Sequence, residues 1–254
     1  MLLTVDIGNT NITLGGYVGE KLEVSARIAT DSRKTSDQYA VELKSILDLN
    51  DVAQKVNAAI ISSVVPEVTT SIKFAIEKLF NIEALVLGPG VKTGLNIRID
   101  NPAQLGADLA AGAVAASVKY ELPAIIIDMG TATTISLLNE NGEFLGGAIA
   151  AGVSSTLEAL TKNTTLLPSI NIETPKKVVG TNTVESMQSG LIFGTASMID
   201  GMIDRFKKNL TKEPTVIATG GRAKAIVKEC NHKIIYDDNL LLDGLLFIYK
   251  KNFK

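Results

Sequence analysis

Two short segments of this chain place an aspartate at the end of an apolar run, a glycine after one intervening residue, and small polar side chains beyond. They are Asp6-Ile7-Gly8-Asn9-Thr10 and Asp128-Met129-Gly130-Thr131-Ala132, 122 positions apart in a chain of 254. The glycine lets backbone N–H groups come close to an anion, and the hydroxyls and amides add donors. A carboxylate repels phosphate, so an aspartate at such a turn must act through a cation or a water. One copy reads equally well as a plain hairpin turn. Two copies at the same point of a repeated pattern point instead to a pair of turns facing one cleft and clamping a nucleotide triphosphate with its metal. Thr219-Gly220-Gly221 is a third glycine-bearing loop. It fits either a turn before a helix or a strand-end loop passing close to adenine or ribose. The two familiar glycine fingerprints for mononucleotides and dinucleotides are absent.

Asp108 is a further candidate. Its neighbours at three and four residues carry no basic group, and Ala107, Ala111 and Ala115 surround it at helical spacing. It is either a solvated surface acid or a functional acid on a dry face, and the alanines favour the second reading. Composition narrows the remaining chemistry. With 25 basic and 27 acidic residues, net charge −2, nothing favours nucleic acid or an anionic membrane as partner. The single cysteine, Cys230, leaves no internal disulfide and no cysteine-rich zinc site. The single histidine, His232, argues against histidine metal sites and a Ser-His-Asp triad, and its Cys-Asn-His setting reads as a surface loop. Met1 to Val5 is apolar but meets Asp6 at once, unlike a signal peptide. Apolar runs such as Ala113–Ala116 fall far short of the roughly 18–20 residues of a membrane helix. A cytoplasmic protein working with carboxylates, hydroxyls and backbone amides is expected.

The elements that must position these groups follow from periodicity. Strands are expected at Leu2–Val5, Asn11–Tyr17 and Leu22–Ala29, then a helix over Asp37–Leu49 capped by Thr35 or Ser36. Ala58–Val64 reads as a buried parallel strand, followed by a helix from about Val68 to Phe80 and a strand at Ala84–Leu87. Asn101-Pro102-Ala103-Gln104 carries N-cap, N1-proline and capping-box signals, which predict a central helix over Pro102–Tyr120. Its small residues on every side imply close packing on more than one face. The pattern then restarts with strands at Ala124–Ile127, Thr133–Leu138 and Phe144–Ala150. Helices are expected around Ser155–Thr161, Thr183–Leu210, Ala223–Glu229 and Leu240–Lys251, with a strand at Pro214–Ala218. The order implies α/β architecture: mixed sheets flanked by helices, duplicated as domains 1–117 and 118–254.

The duplicated Asp-x-Gly turns resemble those of the actin, sugar-kinase and Hsp70 superfamily, whose domains are ribonuclease H-like. The fuller series resembles type III pantothenate kinase. It comprises Asp6–Thr10, Asn101-Pro102, Gly106-Ala107-Asp108, Asp128–Thr134, Gly146–Ile149, Gly180–Thr183, Gln188–Gly190, Thr219–Gly221 and Leu242–Leu245, in the family's order from end to end. That resemblance implies ATP-dependent phosphorylation of pantothenate, the first step of coenzyme A synthesis, by a homodimer. The segment Asp6 to Thr13, with Gly8, Asn9, Thr10 and Asn11, would hold the ATP phosphates, and Asp6 would lie near Mg2+. Asp108 would be the general base, and Asp128 would bind K+ or NH4+. Thr131, Gly220 and Gly221 would contact ATP. Pantothenate would be met by Ile99, Gly106, Ala107, Asp108, Leu109 and Thr183. Two positions depart from the family's pattern, since Leu109 stands where Arg is usual and Ile99 where Tyr is usual. They keep open an alternative, a ligand-binding or regulatory family member with little kinase activity.

Overall fold

The computed structural model describes residues 1–253. The chain divides into two compact units. The first comprises Met1–Leu95, Asn101–Ala115 and the segment from Asn239 onward; the second comprises Asn96–Asp100 and Ala116–Asp238. A single cut near residue 117 therefore misplaces the C-terminal helix. That helix buries Leu242, Leu245 and Ile248 against the first unit's sheet, and this apolar face fixes where it belongs.

In the first unit, strands β1 (Leu2–Ile7), β2 (Asn11–Val18) and β3 (Lys21–Ala29) form an antiparallel meander. Helix α1 (Ser36–Leu49), strand β4 (Ala58–Ser63), helix α2 (Pro66–Phe80) and strand β5 (Ala84–Val86) follow. The sheet order is β3-β2-β1-β4-β5, with β4 and β5 parallel to β1. Alternation along β1 divides its side chains. Leu3, Val5 and Ile7 are buried with Tyr39, Leu43, Ile72 and Ile76 of α1 and α2. Leu2, Thr4 and Asp6 occupy the other face. The α1 start is the one expected, for Thr35 and Gln38 form a reciprocal capping box.

The central helix begins later than its sequence signals suggest. Asn101 caps only a 3-10 turn, Pro102–Gln104, and Leu105 is extended (ψ 122°), so α3 runs from Ala107 to Lys119. Gln104 joins that turn through its backbone N–H, which donates to the Asn101 carbonyl at 3.0 Å. Asp108 consequently lies in the first turn of α3 rather than in mid-helix.

The second unit repeats the plan with β7 (Ala124–Met129), β8 (Ala132–Leu138) and β9 (Glu143–Ala151), preceded by the short strand β6 (Asn96–Ile97). Helices α4 (Val153–Asn163) and α5 (Thr183–Lys207), strand β10 (Thr215–Thr219), helix α6 (Ala223–Val227) and strand β11 (Ile235–Tyr236) complete it. Its sheet order, β11-β10-β7-β8-β9, is the first sheet's order again, with β6 added beyond β9. Ile125, Ile127 and Met129 are buried with Leu191, Ile192 and Ile199 of α5, which leaves Asp128 on the opposite face of β7. The last helix, α7 (Leu240–Asn252), returns to the first unit. Its Gly244 meets the Ala111 backbone of α3 so closely that a Cβ there would collide with the Ala111 carbonyl. None of the described helices is long and apolar enough to cross a membrane.

Candidate active site

In the first unit, Asp6 lies near the C-terminal end of β1, the central strand of its sheet, and Gly8 to Asn11 make the connecting turn. Gly8 N–H donates to the Asn11 carbonyl at 3.0 Å, closing the turn and leaving Asn9, Thr10 and Asn11 solvent-exposed. The end of β3 braces it from the side. Thr30 Oγ1 donates to the Gly8 carbonyl at 2.7 Å, and Thr30 N–H donates to the Thr10 carbonyl at 3.0 Å.

Register places Asp6 in a row that sequence alone does not reveal. Thr13 lies directly opposite it on β2, Arg27 opposite Thr13 on β3, and Ser62 beside Asp6 on β4. Side chains paired this way leave the same face of a sheet. Arg27 is exposed and makes no ion pair among the described residues, whereas Ser62 is fully buried. Residues 6–13 hold no lysine or arginine, so Arg27 is the basic group of this row.

Also in the first unit, Gly106, Ala107, Asp108 and Leu109 form the entry to α3. Asp108 Oδ1 accepts a hydrogen bond from Leu109 N–H at 2.8 Å, and the missing side chain of Gly106 leaves the room this carboxylate occupies. No cation pairs with Asp108 among the described residues. Burial raises its carboxyl above the ordinary carboxylate range, and the Leu109 N–H only partly offsets this. The carboxylate is thus poorly solvated.

The second unit presents the matching turn. Gly130 N–H donates to the Ala132 carbonyl at 3.0 Å, while the Thr131 carbonyl accepts from Gly152 N–H at 3.1 Å and from Ser155 Oγ at 2.7 Å. Gly152 braces here as Thr30 does in the first unit, and these two are also 122 positions apart. Asp128 has Thr134 opposite it on β8 and the buried Thr219 beside it on β10. Gly220 closes over this turn with φ +97°, and a Cβ at that position would stand 2.7 Å from Asp128 Oδ1. Gly220 and Asp128 therefore belong to one constellation, and Gly221 continues the same loop. Positive φ and lack of space each require glycine at 220.

Thr183 opens α5, one residue after its N-cap Asn182, whose side chain accepts from Glu185 N–H at 2.9 Å. Thr183 also lines a cleft of about 580 Å³ with Thr156, Leu160, Leu167, Ser186 and Met187. Ile99 follows β6, and its Cγ2 lies 3.6 Å from where a Cβ on Gly146 would be. Its neighbour Arg98 is engaged elsewhere, because Nη2 and Nε reach Glu143 Oε1 at 2.6 and 2.8 Å. The Cys-Asn-His stretch is the expected surface loop, between α6 and β11, and it is pinned to α5. Asp200 accepts from the backbone N–H groups of Asn231 and His232, and His232 faces Asp204 at 2.9 Å rather than Cys230.

A family model described as type III pantothenate kinase matches residues 2–205. The chain belongs to the type III pantothenate kinase family. Two curated type III pantothenate kinases fit that membership along their whole length. The one from Halalkalibacterium halodurans is 46% identical over 99% of this chain and 100% of its own. The one from Exiguobacterium sp. is 43% identical over 100% of both. Among solved structures, the activator of 2-hydroxyisocaproyl-CoA dehydratase from Clostridium difficile, with bound ADPNP, shares the fold. Its TM-score is 0.56 at 15% identity, over 99% of this chain and 94% of that one. The duplicated sheets are thus those of the actin-like sugar-kinase fold. Full-length agreement with type III pantothenate kinases persists despite Leu109 and Ile99. Ser62 and Arg27 were missing from the sequence-based candidates, and strand register is the signal that finds them; register also sets Thr134 and Thr219, named there only within motifs, beside Asp128.

Proposed function

We propose that the chain phosphorylates pantothenate at its primary hydroxyl, using ATP, as the first step of coenzyme A synthesis in the cytoplasm. Membership of the type III pantothenate kinase family, together with the half-buried, cation-free Asp108 at the start of α3, carries this reading. The Asp6 turn, with Gly8, Asn9, Thr10, Asn11 and Thr13, takes the ATP phosphates, and Arg27 supplies the positive charge this segment lacks. In the second unit, Thr131 and the Gly220-Gly221 loop are the residues assigned to ATP.

Two cations belong to the reading. Mg2+ keeps most of its waters and needs only one or two carboxylates. That demand suits Asp6, beside which Ser62 offers a buried hydroxyl with no partner among the described residues. When bound, Mg2+ would neutralise charge on the transferring phosphoryl group. Asp128, flanked by Thr134 and Thr219, offers the oxygen-rich surroundings that K+ or NH4+ would take.

Asp108 accepts the proton of the pantothenate hydroxyl as that oxygen bonds to the γ-phosphorus, while the bond to the bridging oxygen breaks and ADP leaves. The residues position and neutralise; no covalent adduct with the protein is required. Gly106, Ala107 and Leu109 in the first unit, and Ile99 and Thr183 in the second, are the residues assigned to pantothenate. A homodimer completes the reading, supported by the exposed apolar residues Leu166, Val178 and Val179 along the segment before α5.

The test is formation of 4′-phosphopantothenate from ATP and pantothenate with Mg2+ and K+ or NH4+. Turnover no greater than that of an Asp108→Asn protein overturns the reading. The arginine beside Ile99 is already held by Glu143, so a second reading as a binding or regulatory member keeps one specific support. ATP binding without turnover, with activity appearing in a Leu109→Arg, Ile99→Tyr protein, selects it.

A further inference from the structure

Ser62 is fully buried, and its Oγ has no hydrogen-bond partner among the described residues. A hydroxyl buried in this way costs free energy that an alanine would not. Its place is specific. Ser62 stands beside Asp6 in the parallel pairing of β1 and β4, so the two side chains leave the same face from strands about 4.8 Å apart. The second unit repeats the arrangement with a different residue, Thr219 beside Asp128 in the parallel pairing of β7 and β10. Threonines complete the flanks, Thr13 for Asp6 and Thr134 for Asp128. Each aspartate therefore sits one residue before the end of its strand, between two hydroxyl-bearing neighbours. The other buried oxygens without partners, Glu42 Oε2 and Thr133 Oγ1, share a row with neither aspartate.

We propose that Ser62 is a positioning residue of the nucleotide site: its hydroxyl binds a water in the shell of the divalent cation that Asp6 meets. The proposal rests on the reading of the Asp6 turn as the site of metal-bound ATP. Magnesium dehydrates reluctantly, and its retained waters need polar atoms in the protein to fix them. Among the described residues no three Asp, Glu, His or Cys side chains gather to hold a metal directly. A single carboxylate with a hydroxyl beside it is what the end of β1 supplies, and Ser62 fixes the cation through water rather than by touching it.

The experiment compares the full-length wild-type chain with Ser62→Ala and Ser62→Thr by three measurements. These are thermal unfolding without ligand, calorimetric binding of ADP in EDTA, and calorimetric binding of ADP with Mg2+. Ser62→Ala is expected to melt at or above the wild-type temperature and to bind metal-free ADP equally. Its binding of magnesium ADP is expected to weaken about three- to tenfold, the worth of one hydrogen bond. Ser62→Thr, which keeps the hydroxyl, is expected to recover most of that loss. A lower melting temperature with unchanged magnesium ADP binding would make Ser62 merely structural and overturn the proposal. Equal weakening with and without metal would overturn it as well. A wild-type chain that binds no magnesium ADP removes the nucleotide reading itself, a result distinct from a wild type and variant that bind it alike.

Discussion

At Asp108 catalysis and stability pull in opposite directions. Burial raises this carboxyl, so the native state holds its proton more tightly than the unfolded chain does. The sign follows from linkage: the group contributes most below the unfolded value of about 3.8, and that contribution is lost as pH rises through the raised native value. At neutral pH the ionised carboxylate therefore weighs against folding. Asp108→Asn is expected to raise the melting temperature at pH 7, with the gain shrinking toward pH 3. It is also expected to lower kcat by about 10²–10⁴-fold, the usual worth of a general base. Paired melting and turnover measurements check both; an Asn variant less stable at pH 7 would show that the carboxylate is held by something other than the groups around α3. Arg27 invites a second test. Exposed and without an ion pair, it contributes little to folding. Arg27→Ala should leave the melting temperature unchanged and weaken ADP binding about tenfold, as loss of a charged hydrogen bond would. The salt dependence of binding should fall as well. Unchanged affinity at low and high salt would remove Arg27 from the phosphate site.

At the scale of elements, the crossing of α3 and α7 is the feature most exposed to mutation. Gly244 rests on the Ala111 carbonyl, and both lie in the layer that covers the Asp6 face of the first sheet with Leu242, Leu245 and Val114. Gly244→Ala must push the helices apart. A loss of about 1–3 kcal/mol is expected, as for overpacking elsewhere. Because Asp108 lies in the first turn of α3, kcat should fall as well. Chemical unfolding and turnover of the variant test this, and full stability would mean that α7 can slide without cost. The small-residue pattern of α3 made this close packing legible in the sequence, as alternation made the strands legible and Thr35 with Gln38 the start of α1. Other features were hidden. Asn101-Pro102 looked like the start of α3 because local cap signals do not report an extended residue at Leu105. The short strands β6 and β11 hold two residues each, too few to show a period. The rows through Asp6 and Asp128 escaped notice because register is a relation between strands, and periodicity describes only one strand at a time.

The whole molecule carries its duplication unevenly. Both units give an aspartate, a glycine turn and flanking hydroxyls, but the row through Asp6 ends in Arg27, while the row through Asp128 ends in Ile149. Ile149 is 76% exposed. Also exposed in the second unit are Leu166, Val178 and Val179, with Val178 tied to α5 by Ser189, which donates to its carbonyl. An apolar surface of this kind favours association over hydration, and the cleft lined by Thr183 includes Leu167, the neighbour of Leu166. The proposed homodimer should therefore depend on these residues. Leu166→Asp with Val179→Asp is expected to convert dimer to monomer in sedimentation velocity without lowering the melting temperature of the nucleotide-bound chain. Because Thr183 lies beside the same segment, the KM for pantothenate should rise while the affinity for ADP stays near that of the wild type. A double variant that remains dimeric would place the contact elsewhere, and a wild type that sediments as a monomer at all concentrations would remove the dimer altogether.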